Sequence, residues 1–151
     1  MRTRKLRISL LCVLMTVGMT GIVLAANAHF NSASARRQGN NLIVSFKISG
    51  LGNNQTITVT ASARATAVYQ CFNNGGNHPQ AGNKEQVIAN VSASGSFTSD
   101  RNGSVSGSLT LTPPPPTLQC PSGQHLVLVS VKYENVSVSG GGASQSIGGT
   151  F

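Results

Sequence analysis

Apolar and polar residues alternate along the segment 55–71, QTITVTASARATAVYQC. Its odd-numbered positions are apolar or aromatic, and its even-numbered positions are mostly Thr, Ser, Arg and Gln. A period of two is typical of a β-strand with one buried face. At about 3.3 Å per residue this strand would extend over roughly 55 Å. We therefore expect a bend or bulge near its four alanines, and a bent strand can serve two sheets.

The same alternation predicts strands on both sides of this segment, at 41–49, 85–94 and 105–111. The dipeptide Asn102-Gly103 predicts a β-hairpin between the last two. Pro113 to Pro116 should end the strand at 105–111, because proline donates no ladder hydrogen bond.

The run HLVLVSVKY, 125–133, has apolar side chains on both faces, which is typical of a central strand covered on both sides. Val136 and Val138 continue it in the opposite phase. This change of phase predicts a bulge near Glu134 or Asn135. A short edge strand is expected at the end of the chain, in QSIGGTF.

Six or seven such strands, with no helical period longer than two turns after residue 28, predict an all-β fold. We expect an antiparallel β-sandwich that is Ig-like in general architecture. If every connection reverses the chain, one end of the sandwich should collect the lead-in 29–40, the loop after Cys71 and the proline segment before Cys120.

The first 28 residues have the pattern of a secretory signal peptide. Four basic residues precede an apolar run from Ile8 to Ala26, and Ala26-Asn27-Ala28 supplies an A-x-A site. An uncleaved membrane anchor is the alternative, because the run approaches the ~20 residues that cross a bilayer. Cleavage predicts a secreted, extracellular protein with an irregular lead-in at 29–40, containing at most a short edge strand around Phe30, and one domain at 41–151.

Charge is sparse and scattered in this chain. Charged residues make up 9% of the sequence, against about 25% in typical domains. Removal of residues 1–28 reduces the formal net charge from +8 to +4. Because the remaining basic residues do not cluster, we expect neither a nucleic-acid partner nor, after cleavage, a membrane.

Three cysteines occur, and Cys12 lies within the predicted signal peptide without lipobox flanks. In an oxidising compartment the other two, Cys71 and Cys120, should form one disulfide. Closing a loop of about 50 residues stabilises by roughly 4 kcal/mol in the chain-entropy description. Two free thiols are the alternative.

The region 69–126 also resembles an uncharacterised group of small secreted bacterial proteins. That resemblance implies a secreted, disulfide-tied β-domain and no particular activity. It rests on Tyr69-Gln70-Cys71, Gly75-Gly76-Asn77, Pro79, Asn83-Lys84, Cys120-Pro121 and Gly123-Gln124.

Catalytic motifs are scarce. The acidic side chains are Glu85, Asp100 and Glu134, whereas a glycosidase needs two facing carboxyl groups. Only Asp100 and Glu134 could meet, and Asp in a turn usually caps local backbone groups. No nucleophile elbow, P-loop or dinucleotide fingerprint is present. Four N-x-S/T sequons, close to the number expected by chance, occur at Asn54, Asn90, Asn102 and Asn135.

The histidines predict an alternative chemistry. Cleavage after Ala28 would make His29 the first residue, with a free amine, and the predicted fold places His78 and His125 at the same end. The set resembles the histidine brace of secreted copper proteins, including lytic polysaccharide monooxygenases, and imidazole suits copper. Solvated surface histidines without a metal are the simpler interpretation.

We expect a secreted, non-catalytic sandwich that acts in extracellular binding, adhesion or surface structure, without a cofactor. Its ligand would be a carbohydrate or a protein, bound by the amide-rich loop 72–84, although the same residues suit tight turns. A copper-binding or redox protein is the alternative function, and a small hydrolase is a weaker one. The candidate binding residues are Asn73, Asn74, Asn77, His78, Gln80 and Asn83.

Overall fold

Seven strands form two antiparallel sheets in the computed structural model of the protein, which describes residues 27–73 and 83–151. The described residues contain no helix, so the all-β prediction is confirmed. The strands are β1 His29–Gln38, β2 Asn41–Ser49, β3 Thr56–Asn73, β4 Lys84–Thr98, β5 Val105–Leu111, β6 Gln124–Gly140 and β7 Ala143–Ile147.

The first sheet has the order β1-β2-β5 and the second the order β4-β3-β6-β7. In a constant-type immunoglobulin domain, strands A, B, E and D form one sheet and C, F and G form the other. Here β1, β2 and β5 take the places of A, B and E, while β3, β6 and β7 take those of C, F and G. The remaining strand, β4, pairs with β3 in the second sheet.

The core lies between the sheets and combines large with small side chains. On β3 the inward positions Ala61, Ala63, Ala65 and Ala67 are buried, and Ala65 pairs with the fully buried Tyr133 of β6. Alternation of small and large groups lets two sheets interdigitate without voids. The four alanines therefore make room for a tyrosine ring, and the bulge predicted near them is present in the β3–β6 ladder beside Ala63.

Both register shifts of the β3–β6 ladder place the extra residue on β6. One lies between Ser62 and Arg64, opposite Asn135, whose φ is 52°. The other lies at the step from Val68 to Tyr69. The bulge predicted near Glu134 or Asn135 is thus confirmed, but β3 itself runs within one sheet and does not serve two.

The hairpin predicted at Asn102-Gly103 is wrong. The turn itself closes, since Gly103 N donates to Asp100 O at 3.0 Å. The strands that leave it separate, because β4 pairs with β3 and β5 pairs with β2. Phe97 and Leu109 then lie near each other across the sandwich, where a Cβ added to Gly95 would meet both side chains. The turn therefore carries the chain from one sheet to the other.

The lead-in and β6 also differ from expectation. Instead of an irregular segment, residues 29–38 form β1, an edge strand in register with β2 apart from a bulge between Phe30 and Ser32. The run at 125–133 pairs with β3 on one side, but β7 pairs only with Val136–Gly140 further along β6, so the run is not a central strand; its outer face is also open, and Val129 is 50% exposed. Hydrophobic residues on both faces thus did not mean burial on both faces.

The proline segment passes beneath the four-stranded sheet on its way to the disulfide. Tyr69 Oη donates to the Pro114 carbonyl at 2.7 Å, and the Glu85 carboxylate accepts from the Leu118 N–H at 2.8 Å. Cys71 and Cys120 are joined, with their Cα atoms 5.6 Å apart. The predicted disulfide is confirmed, and it fixes the end of β3 to the segment that leads into β6.

Residues 1–26 of the predicted signal peptide lie outside the described residues. Within the described residues no helix is long and apolar enough to cross a membrane. Ala28, the last residue of the predicted signal peptide, is described and packs against the core.

Candidate functional site: the outer face of the four-stranded sheet

The outer face of the four-stranded sheet is covered mainly by hydroxyl groups, and we call it the hydroxyl face. Its side chains come from the positions of β3 and β4 that alternate with buried or half-buried ones, together with their ladder partners on β6 and β7. Its hydroxyl residues toward the Asn102-Gly103 turn are Thr56, Thr58, Thr60, Ser62, Ser92, Ser94, Ser96, Thr98, Ser137, Ser139, Ser144 and Ser146.

Neighbouring strands join these hydroxyls into pairs. Oxygen–oxygen distances are 2.9 Å for Thr56 with Thr98, 2.7 Å for Thr60 with Ser94 and 3.0 Å for Ser62 with Ser137. Each hydroxyl in such a pair keeps capacity to accept or donate a further hydrogen bond. The face therefore offers an ordered set of neutral donors and acceptors to a ligand.

A shallow depression of about 370 Å³ lies near the middle of this face, lined by Ser62, Ala63, Arg64, Asn90 and Asn135. The β6 bulge produces it, because the extra residue at Asn135 interrupts the ladder opposite Ala63. Arg64 and Asn90 are ladder partners on β3 and β4. Bulges often occur beside functional sites, where they redirect side chains.

The Arg64 side chain has no partner within the described part of the chain, as is also true of the Arg36, Lys47, Lys84 and Arg101 side chains, but only Arg64 lines the central depression. No hydrogen bond or ion pair joins its guanidinium to another described residue, although its ladder partner is Glu134. The Glu134 carboxylate pairs instead with Lys132 at 3.0 Å. By contrast, Arg37 donates to the Val131 carbonyl at 2.6 Å and lies over the Tyr133 ring. Among the described residues, the Arg64 guanidinium is thus an unpaired bidentate donor beside two amides.

Toward the disulfide the same face becomes apolar. Ile88 is 49% exposed and Val129 50% exposed. Leu126, 37% exposed at the end of the sheet, pairs with the inward Cys71 and so has the phase of the other face. Val68 and Val127 share this part of the face by register. The outer face therefore has a hydroxyl part, a central depression with one cation, and an apolar part.

The acidic side chains do not form a catalytic pair. Asp100 Oδ1 accepts the N–H groups of Asn102 and Ser104, both at 2.9 Å, and so caps its turn as predicted. Glu134 is the ladder partner of Arg64 on β3. Thr98, just before the Asp100 turn, is the ladder partner of Thr56, which is eight residues from Arg64 along β3. That is roughly 26 Å of strand. Glu85 binds the proline segment through Thr117 and Leu118.

The prediction that the histidines share one end of the sandwich is wrong for His29 and His125. His29 pairs with Ser49, at the end of β2 that leads to the start of β3, and its Nδ1 lies 2.9 Å from Asn27 O. His125 pairs with Phe72 at the other end of β3. His78 lies outside the described residues. Among residues 27–73 and 83–151, no three His, Cys, Asp or Glu side chains form a group that could hold a metal.

The candidate loop is described only at its two edges. Asn73 ends β3, and Asn83 Nδ2 donates to Gln124 Oε1 at 3.2 Å. Asn74, Asn77, His78 and Gln80 lie outside the described residues. Sequence reasoning missed Arg64, which stood in the chain as one of several scattered cations. The sequence did contain one signal for Arg64: it is the basic residue at an outward-facing position among the β3 alanines.

The chain matches no protein-family model, and neither a curated protein nor a solved structure is significantly similar to it.

Proposed function

We propose that this is a secreted, non-catalytic binding protein whose hydroxyl face contacts an extracellular polysaccharide. The observation that carries the proposal is the Arg64 guanidinium, unpaired among described residues and flanked in the central depression by the amides of Asn90 and Asn135. A free guanidinium binds a carboxylate in a bidentate manner. We therefore expect a polymer that carries uronate carboxylates.

The chemistry around Arg64 supports a sugar polymer over a compact charged ligand. The paired Thr and Ser hydroxyls both donate and accept, as sugar hydroxyls do. β3 is 18 residues long and β4 is 15, so the face extends over roughly 50 Å. An elongated, shallow surface of mostly uncharged polar groups suits a chain of repeating units better than a small molecule in a cavity.

A binding role also agrees with the use of the carboxylates. Asp100 caps a turn and Glu85 holds the proline segment, so each has a structural task. Secretion is supported by the Cys71–Cys120 disulfide, because such bonds persist in oxidising compartments. The pattern of residues 1–28 supports the same location.

Affinity electrophoresis tests the proposal, with alginate as the uronate-bearing polymer and dextran as the neutral one. Alginate should retard the wild-type protein more strongly than dextran does. Arg64→Gln should weaken alginate binding about tenfold or more, because hydrogen bonds to charged groups contribute about 1.5–3 kcal/mol.

Arg36→Gln is the matched control, since Arg36 is an exposed cation on β1 in the other sheet. It removes the same charge and should leave the retardation nearly unchanged. Equal losses in both variants would indicate general charge attraction instead of a site at Arg64. No retardation by either polymer would rule out these polysaccharides and direct attention to a protein ligand.

A further inference from the structure

The edge of the four-stranded sheet formed by β4 is long and regular. β4 spans Lys84–Thr98, and its ladder with β3 runs from Lys84 to Thr98 without a register shift. Among described strands β3 is its only hydrogen-bonded neighbour. The other side of β4 therefore presents a row of backbone N–H and C=O groups.

The register identifies which residues present these groups. Cys71 N donates to Asn83 O at 3.0 Å, and Ser99 N donates to Gln55 O at 2.9 Å. All four residues of these two hydrogen-bonded pairs have odd numbers, and the two pairs lie just beyond the two ends of the β3–β4 ladder. In an antiparallel ladder, hydrogen-bonded and non-bonded pairs alternate, so the odd residues of β4 bond to β3. The even residues, from Gln86 to Thr98, point their backbone groups away from the sheet.

The other sheet edges carry features that discourage pairing. β6 has no β7 partner from Gln124 to Lys132, but this stretch has a bulge at Val129, and its Val131 carbonyl already accepts from Arg37. β1 has a bulge between Phe30 and Ser32 and the adjacent cations Arg36 and Arg37. β5 has seven residues and is soon followed by prolines, and β7 has five residues. Bulges, charge, proline and short length are the devices by which proteins protect sheet edges. β4 has none of them between Gln86 and Thr98.

We propose that β4 is a self-association edge, and that two copies of this chain pair antiparallel through it to form one eight-stranded sheet. The set of outward residues from Gln86 to Thr98 has Ser92 as its midpoint. Full overlap therefore places Ser92 on the two-fold axis and pairs Asn90 with Ser94 of the second copy. A two-fold interface is self-complementary, as a homodimer requires.

The inward side chains of β4 support a second copy as the occupant. Every odd position of β4 is only half-buried, whereas the matching positions of β3 are mostly buried. In the register centred on Ser92, Val91 lies opposite Ala93 of the second copy and Val87 opposite Phe97. The pairing would place apolar groups against apolar groups and bring no charged residue opposite another.

Ser92→Cys tests the register in the purified protein. Residues opposite each other in a hydrogen-bonded pair have Cα atoms about 5.5 Å apart, within the range that a disulfide spans. Ser92→Cys should give a covalent dimer under oxidation. Ser94→Cys is the matched control, because Ser94 and its copy would be four residues out of alignment, roughly 13 Å apart; it should stay uncrosslinked.

Sedimentation equilibrium tests the association without a new cysteine. Wild type should be dimeric, and Ser92→Pro should be monomeric, since the lost N–H points outward and the β3 ladder is kept. Ser92→Lys should also weaken the dimer at least tenfold, because two like charges would face each other on the axis. Thr58→Lys, on the same face of the central β3, should leave the dimer intact.

Two results would overturn the proposal. One is a wild-type protein that stays monomeric at its highest soluble concentration and whose Ser92→Cys variant gives no covalent dimer. The other is a dimer that resists both Ser92→Pro and Ser92→Lys. Neither result depends on polysaccharide binding, which Arg64→Gln tests separately.

Discussion

β3 is fixed at its two ends by different kinds of interaction. At its start, the buried Ser99 accepts from Gln55 N at 2.9 Å and donates to Gly52 O at 2.6 Å. At its far end, a covalent bond joins Cys71 to Cys120 and the proline segment packs beneath the sheet. Hydrogen bonds between two loops hold one end and a covalent bond holds the other, although the sequence separations are similar: 44 and 47 positions for the two Ser99 hydrogen bonds and 49 for the disulfide.

The difference shows where hydrogen bonds between loops suffice and where they do not. At the start of β3, the turn at Asp100–Ser104 meets the loop after β2, and Leu51 N donates to Gly103 O at 3.0 Å. At the far end, β3 and β6 extend beyond the three-stranded sheet, and Leu126 and Val129 remain exposed. With less apolar surface to bury there, the disulfide supplies the missing constraint.

The largest expected effect is at the covalent end. Replacing both Cys71 and Cys120 with Ala should lower the free energy of unfolding by about 2–5 kcal/mol, because the unfolded chain loses its cross-link. Denaturant unfolding of the purified variant measures this change. Reduction of the wild-type protein should reproduce it, and an unchanged midpoint in both experiments would show that the far end needs no covalent constraint.

A smaller effect is expected at the hydrogen-bonded end. Ser99→Ala leaves Gln55 N and Gly52 O without their buried partner, which should cost about 1–3 kcal/mol. The matched control is Ser94→Ala, because Ser94 is exposed and water can replace it for Thr60; its loss should stay within about 0.5 kcal/mol. Equal losses in the two variants would mean that Ser99 does not organise the turn.

The smallest effect is expected at Glu85, on the proline segment. Hydrogen bonds from the Thr117 side chain and from the Leu118 N–H hold the pKa of the Glu85 carboxyl below its ordinary value. Because this pKa is lower in the folded state, the ionised carboxylate stabilises the folded protein. The stabilisation is fully present above the unfolded-state pKa of about 4.3 and is lost as the pH falls through the folded-state pKa.

Glu85→Gln should therefore lower stability at neutral pH, and its difference from wild type should disappear in acid. Denaturant unfolding from pH 7 to pH 2 measures both. Glu134→Gln is the control, because its carboxylate forms a half-exposed ion pair with Lys132 that contributes little. A Glu85→Gln loss that persists unchanged at pH 2 would show that the carboxylate charge is not its cause.

The alternation of side chains was sufficient to predict the strands from β2 onward, because it depends only on local period, but β1 lacks a clear period and was missed. The disulfide was predictable from two remaining cysteines and the signal-peptide pattern. The phase change between Val131 and Val136 likewise located the bulge at Asn135. Which strands pair with each other was harder to predict from the sequence. Asn102-Gly103 predicted a turn correctly, but a turn does not specify whether its strands stay in one sheet, and here they separate.

The candidate site was less predictable for a related reason. The amide side chains of the loop 72–84 predicted a binding site there, whereas the depression around Arg64 exists because the β6 bulge lies opposite Ala63. That juxtaposition is a property of register between segments about 70 residues apart. The separation of His29 from His125 has the same origin, because β1 proved to be a full strand that begins at the opposite end and runs toward the proline end.

The Cys71–Cys120 bond also gives the protein a mechanical property. It closes a ring that contains β4, β5 and the proline segment, with the other strands in the two tails outside it. A pulling force applied through the two ends of the chain is transmitted across the bond and bypasses the ring. Since the ring spans 49 positions, roughly 170 Å of chain stays out of the line of tension. Even when stretched until its sheets part, the protein would keep β4 tethered close to β3.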